Sequence, residues 1–269
     1  MSTHSSAIDD HHIPLRTLLD FAVDAAWQAG KITLEYFQTA TAVARKADAS
    51  PVTLADRRAE EKLRECIQAA FPDHGILGEE FGEVFRHTPY RWVLDPLDGT
   101  RSFIQGVPLY GVMMGLEYRG RVLLGVTHFP ALGETVYAAQ GEGCYWNGRR
   151  AHVSAVSQLG DAVVLATSVR SLYDEGRGAV FDTLQSQTRL QRTWGDCYGH
   201  ILVATGRAEV MLDPILSIWD CAALQPILEE AGGTFTDWQG TATHTGGNGL
   251  STNGQLFQPV MEIIRSYPS

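Results

Sequence analysis

No run of about 18 apolar residues occurs anywhere in the 269-residue sequence, so nothing in it reads as a transmembrane helix. Basic runs are missing too. Lysine and arginine number 21 against 31 aspartates and glutamates, a formal net charge of −10 that argues against a nucleic-acid-binding surface. The four cysteines, Cys66, Cys144, Cys197 and Cys221, lie far apart and form no CxxC pair. A zinc site or disulfide framework is therefore not expected, and reduced thiols in a cytoplasmic protein are. The opening MSTHSSAIDDHH lacks the apolar stretch of a secretory signal. Residues 1–14 read as a disordered leader, and the clustered His4, His11 and His12 inside it as incidental. Repeats and low-complexity linkers are also absent. Residues 15–269 are expected to form a single domain, and possible halves at 15–152 and 153–269 have no linker between them.

What is present is the composition of a globular protein, 44% hydrophobic and 19% charged. Residues 15–37 carry apolar side chains at helical spacing, and 53–70 repeat the pattern with Thr53 placed to cap. HGILGEE reads as a short strand entering a turn, and RWVLDPLD as a strand ended by its proline. From 107 to 146 the period becomes that of successive strands, with turns at Arg119-Gly120 and Asn147-Gly148. Further on, 161–168 and AEVMLD read as strands. Helices are expected at 174–186, at 197–206 with Gly206 as its stop, in CAALQPILEEAGG and at 256–266. Helical pairs alternating with antiparallel sheet point to a layered α+β architecture.

Three strand ends accumulate acids: Glu79 and Glu80 in GEE, Asp95 and Asp98 in DPLD, and Asp220 in WDCA. Any one of them alone reads as an ordinary turn or capping residue. Together they are the hard oxygen donors that Mg²⁺ takes, completed by waters and substrate phosphate. Asp95 and Asp98 straddle a tight bend, so both can face one pocket while Leu97 offers its carbonyl. Gly99 permits close backbone approach, and TRSF can open a helix whose free amides, with Gly99 and Thr100, bind a phosphate oxygen. Thr100 is equally an ordinary cap or the holder of a water. Acids for metals beside donors for phosphate point to phosphoryl chemistry. Metals also resolve how so acidic a protein would accept an anion.

GEE, DPLDGTRSF and WDCAALQPILEEAGG, in that order, resemble the signatures of the inositol monophosphatase superfamily of Mg²⁺-dependent, Li⁺-sensitive phosphatases. KADASPVTLAD and GEGCYWNG extend the likeness from about Leu15 to the C-terminus. The resemblance implies a five-layer αβαβα sandwich of the inositol monophosphatase/fructose bisphosphatase type. It implies Glu79, Asp95, the Leu97 carbonyl, Asp98 and Asp220 as ligands of two or three Mg²⁺, with Mn²⁺ as a substitute. Glu79 enters the catalytic set with Asp56, which is implied to pair with Thr100 and activate the attacking water. A homodimer is implied as well.

The family's substrates include inositol phosphates, fructose bisphosphate, nucleotide 3′-phosphates and histidinol phosphate, so the metal site does not choose among them. DPLDGTRSFIQGVPLYG and WGDCYGHILVATGRAEVMLDP look most like the histidinol-phosphate phosphatase branch. An inositol-1-monophosphatase or broad-specificity sugar phosphatase is the alternative. Histidinol phosphate carries an ammonium and an imidazole. Asp196 and Asp213 supply spare carboxylates for them, and Trp194 a cation–π face. Asp196 also reads as a helix cap and Trp194 as core. His128 and His244 have no partner nameable from sequence.

Overall fold

The structure is a computed structural model in which residues 13–39, 43–45 and 51–267 are described. The expected leader up to His12 and most of the KADASP turn lie outside these residues.

Among the described residues two large sheets alternate with three helical layers, and a two-stranded ribbon, Val43–Arg45 with Pro51–Thr53, stands apart. The larger sheet has eight strands, running from one edge Arg149–Arg150, Gly143–Trp146, Glu134–Ala139, Arg121–Phe129, Gly111–Tyr118, Tyr90–Asp98, Gly75–Gly78 and Gly82–Val84. Helices Leu15–Tyr36 and Leu54–Ala70 cover its outer face. Side-chain alternation divides that sheet between two cores. Val112, Met114 and Leu116 meet Leu18, Ala22, Ala26 and Leu63 of the outer helices. Met113, pointing the other way, enters a central core with Ile201, Ile227 and Leu228 of the inner helices Asp196–Ala204 and Leu224–Glu230.

The smaller sheet is ordered Leu190–Arg192, Val163–Ala166, Val210–Asp213, Gly249–Thr252 and Thr234–Thr236. Leu165 and Met211 face the central core. Val164, Ala166, Val210 and Leu212 face an outer one shared with Phe181, Leu184, Val260 and Met261. The expected five-layer αβαβα sandwich is what forms.

Glycines set how closely the central layer can sit. A Cβ on Gly115 would lie 2.9 Å from both the Cβ and the carbonyl carbon of Ala222, and one on Gly125 2.7 Å from the carbonyl carbon of Ala223. These two positions let the segment carrying Asp220 lie directly on the larger sheet.

Some expectations are corrected. Pro96 does not end its strand; Tyr90–Asp98 runs through it as a nine-residue strand with a register shift between Asp95 and Asp98. The helix expected at 174–186 is two helices, Val169–Asp174 and Gly178–Gln187, because Gly176 takes a φ of 71° between them. The smaller sheet is mixed: Val163–Ala166 pairs in parallel with both Leu190–Arg192 and Val210–Asp213. CAALQPILEEAGG is a jointed pair, Ile218–Ala222 and Leu224–Glu230, with Pro226 in the first turn of the second, where its missing N–H costs nothing. Both sequence-marked turns are present, with positive φ at Arg119, Gly120, Asn147 and Gly148.

Candidate active site

The strand Tyr90–Asp98 enters the site from a buried run, Trp92 to Leu94. Pro96 cannot donate to the ladder, so pairing with the neighbouring strand skips from Asp95↔Met113 to Asp98↔Gly111. The free amide of Leu97 turns inward and donates to Asp95 Oδ1 at 3.0 Å. This bulge aims two carboxylates the same way despite their spacing. Asp220 reaches them from the opposite side. Its Oδ2 accepts the amide of Ser217 at 2.6 Å, fixing it at the start of helix Ile218–Ala222. Ligand oxygens of Asp95, Asp98 and Asp220 all lie within 4.8 Å of one another.

Three acids so close, Asp95 buried and Asp98 and Asp220 half-buried, resist ionising together. Burial, then the charge of Glu79, raises Asp95 well above the usual carboxylate range. Burial and Asp220 push Asp98 up to about 7. Burial, with Glu79 among the charges adding to it, takes Asp220 to about 7. A divalent cation removes that penalty. Glu79 is thus electrostatically part of the site, although it lies outside the tight group of three.

The GEE turn is held from beneath. Glu60, fully buried, accepts the amides of Glu80 at 2.7 Å and Phe81 at 3.2 Å and is paired with Arg64 at 2.8 Å. Gly78 is glycine because a Cβ there would collide with the Glu60 carboxylate.

Asp56 sits in the first turn of helix Leu54–Ala70. Its Oδ2 accepts from the amide and the hydroxyl of Thr53 at 2.8 and 2.6 Å, and the Thr53 hydroxyl accepts the Ala55 amide at 3.1 Å, so Thr53 caps as expected. Oδ1 is left facing Thr100, whose hydroxyl is 3.3 Å from it and 3.1 Å from the Leu97 carbonyl. Burial raises the Asp56 carboxyl above its ordinary value. Gly99, at φ 82°, makes the turn into helix Thr100–Ile104, and a Cβ there would stand 2.9 Å from the Leu109 carbonyl oxygen.

The WGDCYG segment docks onto this loop. The amide of Cys197 donates to Asp98 Oδ2 at 2.5 Å. Asp196 does not cap its helix: Gly195 is the N-cap, and Asp196 is the first helical residue, with φ 52°. Its carboxyl lies beside Ser102 and Arg101 and is pushed up to about 8 by burial and then by Asp98. A cavity of about 110 Å³ opens between Asp98 and Asp220, lined also by Thr167, Asp196, His200 and Asp213 and closed by Cys197, Ile215, Leu216 and Leu224. Asp196 and Asp213 therefore both line this cavity. Trp194 is 42% exposed and is not among the lining residues. A larger cavity, about 380 Å³ around Arg91, Glu117 and His244, lacks the carboxylate group.

Sequence reading missed Glu60, Thr167 and His200. Glu60 sits four residues after Asp56 in a charged helix and looks like surface; Thr167 carries no motif, and His200 lies in the WGDCYGH stretch without a role assigned to it.

A phosphatase-type sandwich with acids gathered at strand and helix ends defines a class, and the chain belongs to it: the inositol monophosphatase family matches residues 14–267. Within that family it is 50% identical over 248 residues to the histidinol-phosphatase of Chlorobaculum parvum, an alignment covering 91% of this chain and 96% of that one. The histidinol-phosphatase of Mycobacterium tuberculosis is 36% identical, with coverage of 82% and 87%. Among solved structures, the extragenic suppressor protein suhB of Bartonella henselae superposes with a TM-score of 0.87 at 28% identity, covering 93% of this chain and 98% of that one.

Proposed function

We propose that the chain is a histidinol-phosphatase of histidine biosynthesis, hydrolysing L-histidinol phosphate to L-histidinol and phosphate. The observation that carries the reading is the placement of the Asp95, Asp98 and Asp220 group between the Thr100–Asp56 pair and a small cavity bearing two further acids, Asp196 and Asp213. Half identity over nine-tenths of the chain to a histidinol-phosphatase supports the same substrate.

The donor set fits a hard divalent cation. Every ligand atom is oxygen, and the like charges crowd in a desolvated site that only a cation or protons can relieve. Asp95, Asp98, Asp220, Glu79 and the Leu97 carbonyl would hold Mg²⁺. Bound Mg²⁺, in two or three sites with Mn²⁺ as a substitute and Li⁺ as an inhibitor, supplies charge neutralisation at the phosphoryl oxygens and acidifies the attacking water.

This chain's own residues do the rest. Asp56 Oδ1 faces the Thr100 hydroxyl, whose oxygen accepts a hydrogen bond from the attacking water and fixes its approach. As the water oxygen bonds to phosphorus and the ester P–O bond breaks, the water proton passes to Thr100, the Thr100 proton to Asp56, and the departing alkoxide takes a proton from solvent. Its raised pKa makes Asp56 the better proton acceptor. Amides of Gly99 and Thr100 hold a phosphate oxygen. The organic end of the ester extends into the cavity, where Asp196 and Asp213 meet its cationic groups. A cytoplasmic homodimer completes the proposal. Among the described residues no helix is long and apolar enough to cross a membrane, and all four cysteines are free.

The test is kcat/KM with Mg²⁺ for histidinol phosphate against inositol 1-phosphate. A clear preference for histidinol phosphate is expected. Equal or reversed preference would place the chain with inositol-1-monophosphatases or broad-specificity sugar phosphatases.

A further inference from the structure

His200 is buried to 1% exposure, yet only one of its ring nitrogens is satisfied. Nδ1 pairs with the hydroxyl of Ser251 at 2.7 Å. Nε2 has no hydrogen-bond partner among the described residues and stands 3.8 Å from Asp213 Oδ2. A buried ring nitrogen without a partner is destabilising, so its retention calls for a reason. The same Asp213 oxygen accepts the hydroxyl of Thr167 at 2.5 Å, and Thr167 in turn accepts the amide of Asp196 at 2.8 Å. His200, Asp213, Thr167 and Asp196 all line the cavity beside the carboxylate group.

We propose that His200 is a positioning residue for substrate selection: with Thr167 it grips Oδ2 of Asp213, so that Oδ1 is presented to the cationic end of the ester. The inference rests on the reading of this cavity as the pocket for that end. Chemistry fixes the tautomer. A carboxylate oxygen draws the ring hydrogen to Nε2, and the Ser251 hydroxyl then donates to Nδ1. Ser251 lies in strand Gly249–Thr252, paired with Met211 on one side and Phe235 on the other, so the ring is held from a rigid element. Phe235 also lies against the imidazole at 5.7 Å between ring centres. The gap of 3.8 Å is longer than a hydrogen bond, and the proposed role requires it to shorten when the cationic end of the ester binds.

Two substitutions separate this role from packing. His200→Asn keeps an amide where Nδ1 stands, preserving the bond to Ser251, but loses the atom that faces Asp213. His200→Gln carries its amide to the Nε2 place. In the Mg²⁺-loaded protein, His200→Asn should raise KM for histidinol phosphate about 5- to 50-fold, the loss of one hydrogen bond to a charged group, with kcat little changed. KM for p-nitrophenyl phosphate should move less than about two-fold on the same arithmetic. His200→Gln should restore most of the selectivity. Ser251→Ala, which frees the ring from the hydroxyl that holds Nδ1, should reproduce the loss in part and serves if His200→Asn does not fold. An imidazole ¹⁵N spectrum should show His200 protonated at Nε2. Equal losses on both esters, or an Nδ1-protonated ring, would overturn the inference. Asp213→Asn distinguishes the two levels of failure. If it too treats both esters alike, the pocket assignment itself is wrong; if it alone is selective, only the role of His200 is.

Discussion

At the residue scale, the site depends on groups whose two ends do different work. Asp56 caps its own helix with one oxygen and faces Thr100 with the other. Removing the hydroxyl in Thr100→Ala should lower kcat about 10²- to 10⁴-fold while leaving fold and metal affinity nearly intact. Asp56→Asn should match it, and the double variant should be little worse than either, because one relay is lost once. Fully additive losses in steady-state kinetics would separate the two residues. Asp196 invites a second substitution. Since its carboxyl caps no helix, Asp196→Asn tests contact with the ester directly. KM for histidinol phosphate should rise about 5- to 150-fold, and that for p-nitrophenyl phosphate, whose organic end carries no cation, much less. The acids of DPLD and WD were legible in sequence because chemistry forces several hard donors close to glycine and threonine. Glu60 and His200 were not. A buried polar residue is recognised by its partners, and those come from other elements. The same holds for His128 and His244, which pair with Thr135 and Glu117.

Among elements, the long periodic ones could be read, as could short apolar strands such as Gly75–Gly78, Val163–Ala166 and Val210–Asp213, but other short ones could not. The two outer helices of the larger sheet and the strands between 107 and 146 repeat their pattern often enough to show their period. Strands of three or four residues, such as Gly82–Val84, Leu190–Arg192 and Gly249–Thr252, hold too few residues to show one. Pro96 misled for a physical reason: proline normally stops a strand, and here a bulge absorbs it and turns Asp95 and Asp98 to the same side. Helix placement matters as much as strand shape. Gly125→Ala sets a methyl group against the Ala223 backbone, where flexible side chains cannot yield. The variant should lose about 1–3 kcal/mol in denaturant titration, as overpacked cores do. Activity should fall beyond what that loss explains, because Asp220 moves with the helix; unchanged kcat would show that the helix seats independently of the sheet.

For the whole molecule, a net charge of −10 and a pocket of crowded acids make stability depend on protons and metal together. Asp98 and Asp220 have folded pKa values raised to about 7 in the metal-free protein, above those of an unfolded chain. Their contribution is therefore fully present below the unfolded value near 4 and is lost as pH rises through about 7. Mg²⁺ acts in the opposite sense, because it must displace protons at low pH and meets ionised ligands at high pH. The rise in Tm on adding Mg²⁺ should accordingly be small at pH 5 and large at pH 8, measured by calorimetry. A pH-independent increment would mean that the acids do not hold the ion. Assembly has its own measure: light scattering should give twice the 29.5 kDa chain mass, and a monomer at micromolar concentration would remove the homodimer.

The amide of Cys197 and the carboxylate of Asp98 meet across 99 positions of chain. Contacts that close so long a loop form late, after each sheet has collected its nearer neighbours. A nascent chain that has completed only the larger sheet thus holds Asp95 and Asp98 without the amide, the cavity or Asp220. Such an intermediate has little to offer a cation and nothing with which to turn over an ester. Ion capture then works as a clock for maturation, starting only when both sheets have closed on the central helices. In stopped-flow refolding, uptake of Mn²⁺ should lag behind the burial of Trp92 and keep pace with the last phase.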